Sequence, residues 1–509
     1  MKNRSLMLQG TASSVGKSVL TAAFCRIFKE DGYRVVPFKS QNMALNSFIT
    51  DDGLEMGRAQ VFQAEAAGVT PKAGMNPILL KPTGEKEAQV IINGKVFGNM
   101  NASEYHAFKP ELKTIVHKAY NQLRKDSDIV VIEGAGSPAE INLKKNDIVN
   151  MGMAKMVNAP VILVGDIDRG GVFASIYGTV MLLDEDERRQ IKGVLINKFR
   201  GDLEILKPGL KQLEDLIGIP VLGVIPYGKF DIEEEDGEAE RLKHKSYNEN
   251  NIDIRVIRLP RISNFTDFHW LATHPSVNLQ YIDKAEEVGT PDLLIIPGTK
   301  NTLADLEFLK ENEIDRAILK ARNEGAMIAG ICGGFQMLGK KLLDPHMVES
   351  KIGELDGLGL LDVETTFFKE KMTTQTSAEV LADNFYKDMG SIKVNGYEIH
   401  MGKTCLGSNT RSFAVIKDEN ELPVRWEGAV SEDKRVWGTY LHGIFDNEEF
   451  NRELLQVVAN NSGAENMELR ESFAEYKEKQ YRLLADTVRE SVDLESIYAI
   501  MEGECEWSS

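Results

Sequence analysis

Residues Met7–Ser18 read Met-Leu-Gln-Gly-Thr-Ala-Ser-Ser-Val-Gly-Lys-Ser, an apolar run ending at Gly10 and a glycine-closed turn that opens onto the helical pattern Leu20, Ala23, Phe24 and Ile27. A strand, a tight loop and a helix in that order make a cradle for phosphate, because loop N–H groups and the helix N-terminus face anionic oxygens. In such a cradle Lys17 reaches the outer phosphates and Ser18 offers its hydroxyl to a magnesium ion, while Gly10, Thr11, Ser14, Val15 and Gly16 line the loop. The spacing is Gly-x5-Gly-Lys-Ser, one residue longer than the common loop. The expected ligands are therefore ATP and Mg2+.

The chain has 509 residues, more than one hydrophobic core serves, and about two to four domains are expected. No apolar run reaches the length of a membrane span, and Met1-Lys2-Asn3-Arg4 leads straight into a strand rather than a secretory signal, so no membrane partner and a cytoplasmic location are expected. The cysteines, at 25, 332, 405 and 505, show no paired framework and no metal-ligand spacing, which predicts free thiols. A net charge of −18 argues against a nucleic-acid partner. Anionic ligands then depend on local cations such as Lys17, Lys39, Arg58, Lys81, Arg169 and Lys198.

Short β-branched runs alternate with helical stretches through residues 1–230, the pattern of a parallel sheet covered on both faces. Residues 231–251 are charged and poor in apolar side chains, as a linker is. Alternation resumes over 252–450, predicting a second α/β domain, and 451–509 reads as a helical C-terminal extension. The expected fold class is α/β, with two doubly wound parallel-sheet domains and a helical tail.

Several strand-end loops of the first domain carry chemistry. Glu133 follows the buried run Ile129-Val-Val-Ile and suits a second magnesium ligand beside Ser18. Lys39, after the strand ending at Phe38, can steady charge on a transferring phosphoryl group, and Asn197 can read an adenine edge or simply form a turn. In the second domain, Gly330-Ile-Cys332-Gly333-Gly334 ends a strand and opens a helix. That sharp turn exposes the thiol and aims a helix N-terminus at its sulfur. Trp437-Gly-Thr-Tyr-Leu-His442 ends another strand with an imidazole suited to partner that thiol. The residues alone leave His400, His269 and His274 without a chemical role.

The longer phosphate loop resembles that of the dethiobiotin synthetase-like ATP-dependent synthetases, which activate a carboxylate with ATP. The stretches Phe38–Ser47, Gly57–Gln60, Asn76–Pro82 and Gly165–Gly171 resemble the corrinoid-amidating members of that group. The segment around Cys332 resembles the class I glutamine amidotransferases of the cobyrinate type. The resemblance implies that Cys332 attacks the side-chain amide of glutamine, that His442 carries the proton, and that Gly298 and Gly333 form the oxyanion hole. It further implies a corrinoid polycarboxylate as substrate, adenosylcobyrinic acid a,c-diamide, amidated at b, d, e and g. Gln41, Asn42, Asn46, Arg58, Asp166 and Arg169 are its expected contacts.

One departure stands out. Many class I domains carry His-Pro-Glu, whereas this chain reads His442-Gly-Ile-Phe-Asp446, which leaves the group that orients His442 open. Two alternatives stay in view: a synthetase that amidates the a and c carboxylates of an earlier corrin, and a partitioning or scaffold ATPase with an inactive second domain. The second is disfavoured by Thr11, where such ATPases carry an additional lysine.

Overall fold

Continuous apolar runs such as Val161-Ile-Leu-Val build strands buried on both faces, and the fold follows from how helices cover them. In the computed structural model, residues 4–83, 87–228, 230–232, 251–381, 391–417, 423–462 and 472–504 are described. They fall into two compact units, Met1–Ala44, Glu55–Glu235 and Ala474–Ser509 in the first, Leu45–Leu54 and Asp236–Phe473 in the second. Most of the expected linker, residues 233–250, and Cys505 lie outside the described residues.

The first unit is built on six parallel strands in the order Val221–Pro226, Ile191–Phe199, Val161–Asp166, Arg4–Gly10, Ile129–Glu133 and Val35–Phe38. Register places Leu8 beside Glu133 and Gly10 beside Val164, so the phosphate loop leaves the sheet where its neighbours also end. A second, four-stranded sheet, Gln41–Met43, Ile78–Pro82, Glu87–Ile92 and Lys95–Asn101, grows from the exit of Val35–Phe38.

In the second unit, parallel strands run Val277–Ile282, Ile252–Ile257, Leu293–Ile296, Met327–Ile331 and Val436–Thr439, continued by two short antiparallel strands. A largely antiparallel sheet adds the long pair Val363–Val380 and Ile392–Leu406.

The stretch 451–509, read from sequence as one extension, divides between the units. Helix Glu448–Ser462 belongs to the second, where Phe450 joins Phe413, Trp437 and Phe445 in an aromatic cluster. Helices Phe473–Ser491 and Leu494–Glu502 pack on the phosphate-loop helix Lys17–Glu30: Tyr481, Leu484, Val488, Ile497 and Ile500 share one core with Phe24, Ile27 and Phe28. Arg26 clamps the contact with both terminal guanidinium nitrogens on Glu478, at 2.9 and 2.6 Å. The physical reason is that Leu20–Phe28 of this helix is buried without interruption, so it needs cover on sides a sheet alone does not reach. Among the described residues, no helix is long and apolar enough to cross a membrane.

Candidate functional site

The loop from Gly10 to Ser18 is held from behind. Thr11 N–H donates to Val164 O at 3.0 Å, Asn197 Nδ2 to Val15 O at 2.9 Å, and Lys198 Nζ to Ser14 O at 2.8 Å. Gly16 has φ of 95°, and a Cβ there would lie 2.2 Å from Asn197 Nδ2, so this position tolerates no side chain. At Gly10 an added Cβ would lie 2.6 Å from Val15 Cγ2, which shows how tightly the loop folds over itself. One N–H of the Asn197 amide thus supports the loop backbone. Lys17 Nζ donates to Ala12 O at 2.9 Å and to Gly136 O at 3.2 Å, across the mouth of the cradle.

Glu133 gathers the site. Its Oε1 accepts from Ser18 Oγ at 2.7 Å and from Lys39 Nζ at 2.9 Å, and its Oε2 accepts from Gln63 Nε2 at 2.6 Å. Burial pushes this carboxyl up, but the Lys39 charge and the hydrogen bonds from Lys39, Ser18 and Gln63 outweigh it and hold Glu133 below its ordinary range. A hydroxyl and an ionised carboxylate in contact at a phosphate loop are the hard oxygen donors magnesium prefers, since that ion takes few protein ligands and completes its shell with phosphate and water. Gln63 was not anticipated from sequence. Nothing in its helical, apolar context (Arg58–Ala67) distinguishes it from a packing residue.

Gln41 Oε1 accepts from Tyr105 Oη at 2.6 Å, and Asn42 Nδ2 donates to Gln60 Oε1 at 3.2 Å. Arg58 is buried at the start of its helix. Asp166 meets Lys198 at 3.0 Å and accepts from Asp168 N–H at 2.9 Å, while the Arg169 side chain is largely exposed. Asn46 falls in the second unit.

In the second unit four parallel strands each deliver one group at their C-terminal ends. Cys332 follows Met327–Ile331 with φ 52° and ψ −108°, a strained elbow that its amide anchors by donating to Thr439 O at 2.8 Å. Gly334 lets the following helix close on the sheet, since a Cβ there would lie 1.9 Å from Ile296 O. His442 follows Val436–Thr439, with its Nδ1 at 2.7 Å from Asp267 Oδ2. Asp267, in the loop after Ile252–Ile257, uses its other oxygen to accept Gly443 N–H at 3.1 Å. Burial works to lower the His442 pKa, yet the charges of Asp267 and Cys332 and hydrogen bonds to both raise it to about 10. Gly298 follows Leu293–Ile296 and packs beside the ring, where a Cβ would lie 3.1 Å from His442 Cε1. Gly333 opens the helix Gly333–Leu338, where first-turn amides have no intrahelical acceptor.

The orienting group left open by the sequence is therefore Asp267. It lies 175 residues before the histidine, in Phe265-Thr-Asp267-Phe268, where an acid between two buried aromatics was the available signal. Nearby, His274 Nδ1 accepts Ser276 N–H at 3.2 Å within a turn. His400 stacks on Tyr440 with ring centroids 3.7 Å apart. Its Nδ1 is 2.8 Å from Gly402 O and its Nε2 3.1 Å from Glu398 Oε2. Tyr440 in turn accepts from Gln336 Nε2 at 3.1 Å, which places His400 behind the elbow helix.

Thiol, imidazole and carboxylate gathered beyond the C-terminal ends of parallel strands in one sheet are the arrangement of a class I glutamine amidotransferase, here in one chain with a phosphate-cradle domain. Residues 6–238 match the CobQ/CobB/MinD/ParA nucleotide binding domain, and residues 253–450 match the CobB/CobQ-like glutamine amidotransferase domain. The chain is 58% identical over 502 residues to a cobyric acid synthase of Alkaliphilus metalliredigens, covering 98% of this chain and 100% of that one. It is 56% identical to one from Thermoanaerobacter sp., with 98% of each chain covered, and 54% identical to one from Caldanaerobacter subterraneus subsp. tengcongensis, with 98% of each again covered. The chain belongs to the cobyric acid synthase family.

Proposed function

We propose that this chain uses ATP and glutamine to amidate the b, d, e and g side-chain carboxylates of adenosylcobyrinic acid a,c-diamide, as a cytoplasmic enzyme of cobalamin biosynthesis. The observation that carries the reading is the coexistence of the Glu133–Ser18–Lys39 cluster and the Cys332–His442–Asp267 line in a member of this family. A carboxylate does not accept ammonia directly, because its oxygen is a poor leaving group. Transfer of the ATP γ-phosphoryl to the corrin carboxylate forms an acyl phosphate and ADP, and ammonia then displaces phosphate to leave the amide.

In the first unit, Lys17 and the loop amides hold the phosphates and Lys39 faces charge on the transferring group. Ser18 and Glu133 would hold magnesium, which when bound neutralises charge on the phosphate oxygens. Gln63 keeps the Glu133 carboxylate oriented.

In the second unit, the Cys332 sulfur attacks the glutamine side-chain carbonyl. His442 passes a proton to the departing nitrogen, ammonia leaves, and a thioester remains. Water, deprotonated by the same imidazole, cleaves the thioester to glutamate. Asp267 holds the ring so that Nε2 faces the sulfur. The Gly298 and Gly333 amides are the proposed donors to the tetrahedral oxyanion.

The test follows nitrogen. With glutamine labelled with 15N at the side-chain amide, the label enters the corrinoid, one ATP being consumed per amide formed. Unlabelled corrinoid amides, or labelled amides formed without ATP hydrolysis, overturn the reading.

A further inference from the structure

We propose that Lys109, together with Tyr105 and Gln41, forms a subsite that binds a side-chain carboxylate of the corrinoid next to the one being activated. This rests on the function proposed above. Lys109 lies in the first half of helix Ala102–Lys125 and is 9% exposed, yet its ammonium meets no hydrogen-bond or ion-pair partner among the described residues. Other buried cations of the same unit are paired: Lys39 with Glu133 and Lys81 with Glu55, both at 2.9 Å, and Arg26 with Glu478. The side chain is largely withdrawn from water while its ammonium tip still reaches solvent, so the cation lacks a protein counter-charge yet is open to an incoming anion.

The carboxylate nearest in effect is Asp147, but its oxygens are committed to the start of the next helix. They accept from Val149 N–H at 2.8 Å, Asn150 N–H at 3.1 Å and Gly152 N–H at 2.7 Å. Burial accordingly pushes the Lys109 ammonium below its ordinary range, with Asp147 opposing.

Position ties this cation to the chemistry. Tyr105 stands four residues before Lys109, on the same helix face, and its hydroxyl donates to Gln41 Oε1 at 2.6 Å. Gln41 is two residues beyond Lys39, so their Cα atoms are at most about 7 Å apart. From the other side, the loop that leaves Ile129–Glu133 passes Gly136, a partner of Lys17. It then reaches the same helix, where Asn146 Nδ2 donates to His106 O at 3.3 Å. Two segments that leave the C-terminal edge of the nucleotide sheet, the strand Gln41–Met43 and the stretch holding Asn146, thus contact the first half of this helix at Tyr105 and His106. A polycarboxylate seated there offers its anion to the unpaired ammonium, while the Gln41 carboxamide and Tyr105 hydroxyl can bond either an acid or an amide.

Lys109→Met and Tyr105→Phe in the full-length enzyme, assayed with adenosylcobyrinic acid a,c-diamide, ATP and glutamine, test the proposal. Lys109→Met is expected to raise the corrinoid KM at least tenfold, to change the ATP KM less than twofold, and to leave the thermal midpoint unlowered. Tyr105→Phe raises the corrinoid KM about threefold. A corrinoid KM within twofold of wild type for both variants overturns the subsite alone. A lowered midpoint with corrinoid and ATP KM rising together makes Lys109 structural and overturns it too. Failure of the wild-type protein to amidate the corrinoid overturns the functional reading itself, and the subsite with it.

Discussion

Asp267 Oδ2 stands 2.7 Å from Nδ1 of His442, and the same carboxylate receives the amide of Gly443, so one acid fixes both the ring and the backbone that carries it. With Nδ1–H committed to Asp267, Nε2 is the nitrogen left to face Cys332. Asp267→Asn keeps the shape but reverses the hydrogen-bond polarity at one oxygen. Glutamine-dependent amidation should fall by about 10²–10⁴-fold, the range general acid–base groups contribute, while turnover with high ammonium changes little. An equal loss with both nitrogen sources would make Asp267 a folding residue.

The same contact sets a pH signature. The His442 pKa is raised to about 10 against an ordinary value near 6.5. A base whose folded pKa is raised stabilises the fold fully below about pH 6.5 and loses that contribution as pH rises through 10. NMR titration of the His442 ring nitrogens should show a midpoint near 10 in wild type and a lower one in Asp267→Asn. An unchanged midpoint in the variant would remove Asp267 as the cause.

Much of this was legible in the chain because strand ends and glycine turns write their chemistry locally. Glu133 and Cys332 follow uninterrupted apolar runs, the phosphate loop and His442 follow strands that are buried though not wholly apolar, and the structure places all four at C-terminal strand ends. What escaped is what depends on long-range pairing. Asp267 and Gln63 gain their importance only from partners 175 and 70 residues away. The four-stranded sheet from Gln41 to Asn101 escaped for a related reason: Gln41–Met43 has only three residues and Lys95–Asn101 is mostly exposed, so alternation alone gives a weak signal.

Cys332→Ser replaces the sulfur nucleophile with a hydroxyl that the same imidazole activates poorly. Glutamine-dependent synthesis should become undetectable and ammonium-dependent synthesis should persist within about twofold. Retained glutaminase activity would show that another group attacks the amide.

At the phosphate site, both nitrogen sources share one fate. Lys17→Ala and Glu133→Gln should each abolish amidation with glutamine and with ammonium, since activation of the carboxylate precedes nitrogen transfer. Gln63→Leu removes only the Oε2 contact and should weaken ATP-dependent turnover about tenfold, with the loss partly recovered at high magnesium. Unchanged turnover in Lys17→Ala would remove the cradle from the mechanism.

The C-terminal helices give the last test, because the core assigns them to the nucleotide unit. Leu484 is fully buried beside the phosphate-loop helix, and truncating a buried leucine costs about 2–5 kcal/mol. ATP binds only the folded first unit, so it raises the unfolding midpoint of that unit by mass action. Leu484→Ala should lower the thermal transition that ATP shifts upward. Leu454→Ala, in the second unit's helix Glu448–Ser462, should lower the other. Calorimetry with and without ATP resolves the two. Were Leu484→Ala to move only the ATP-insensitive transition, the C-terminal helices would belong to the amidotransferase unit and the division of the chain drawn above would be wrong.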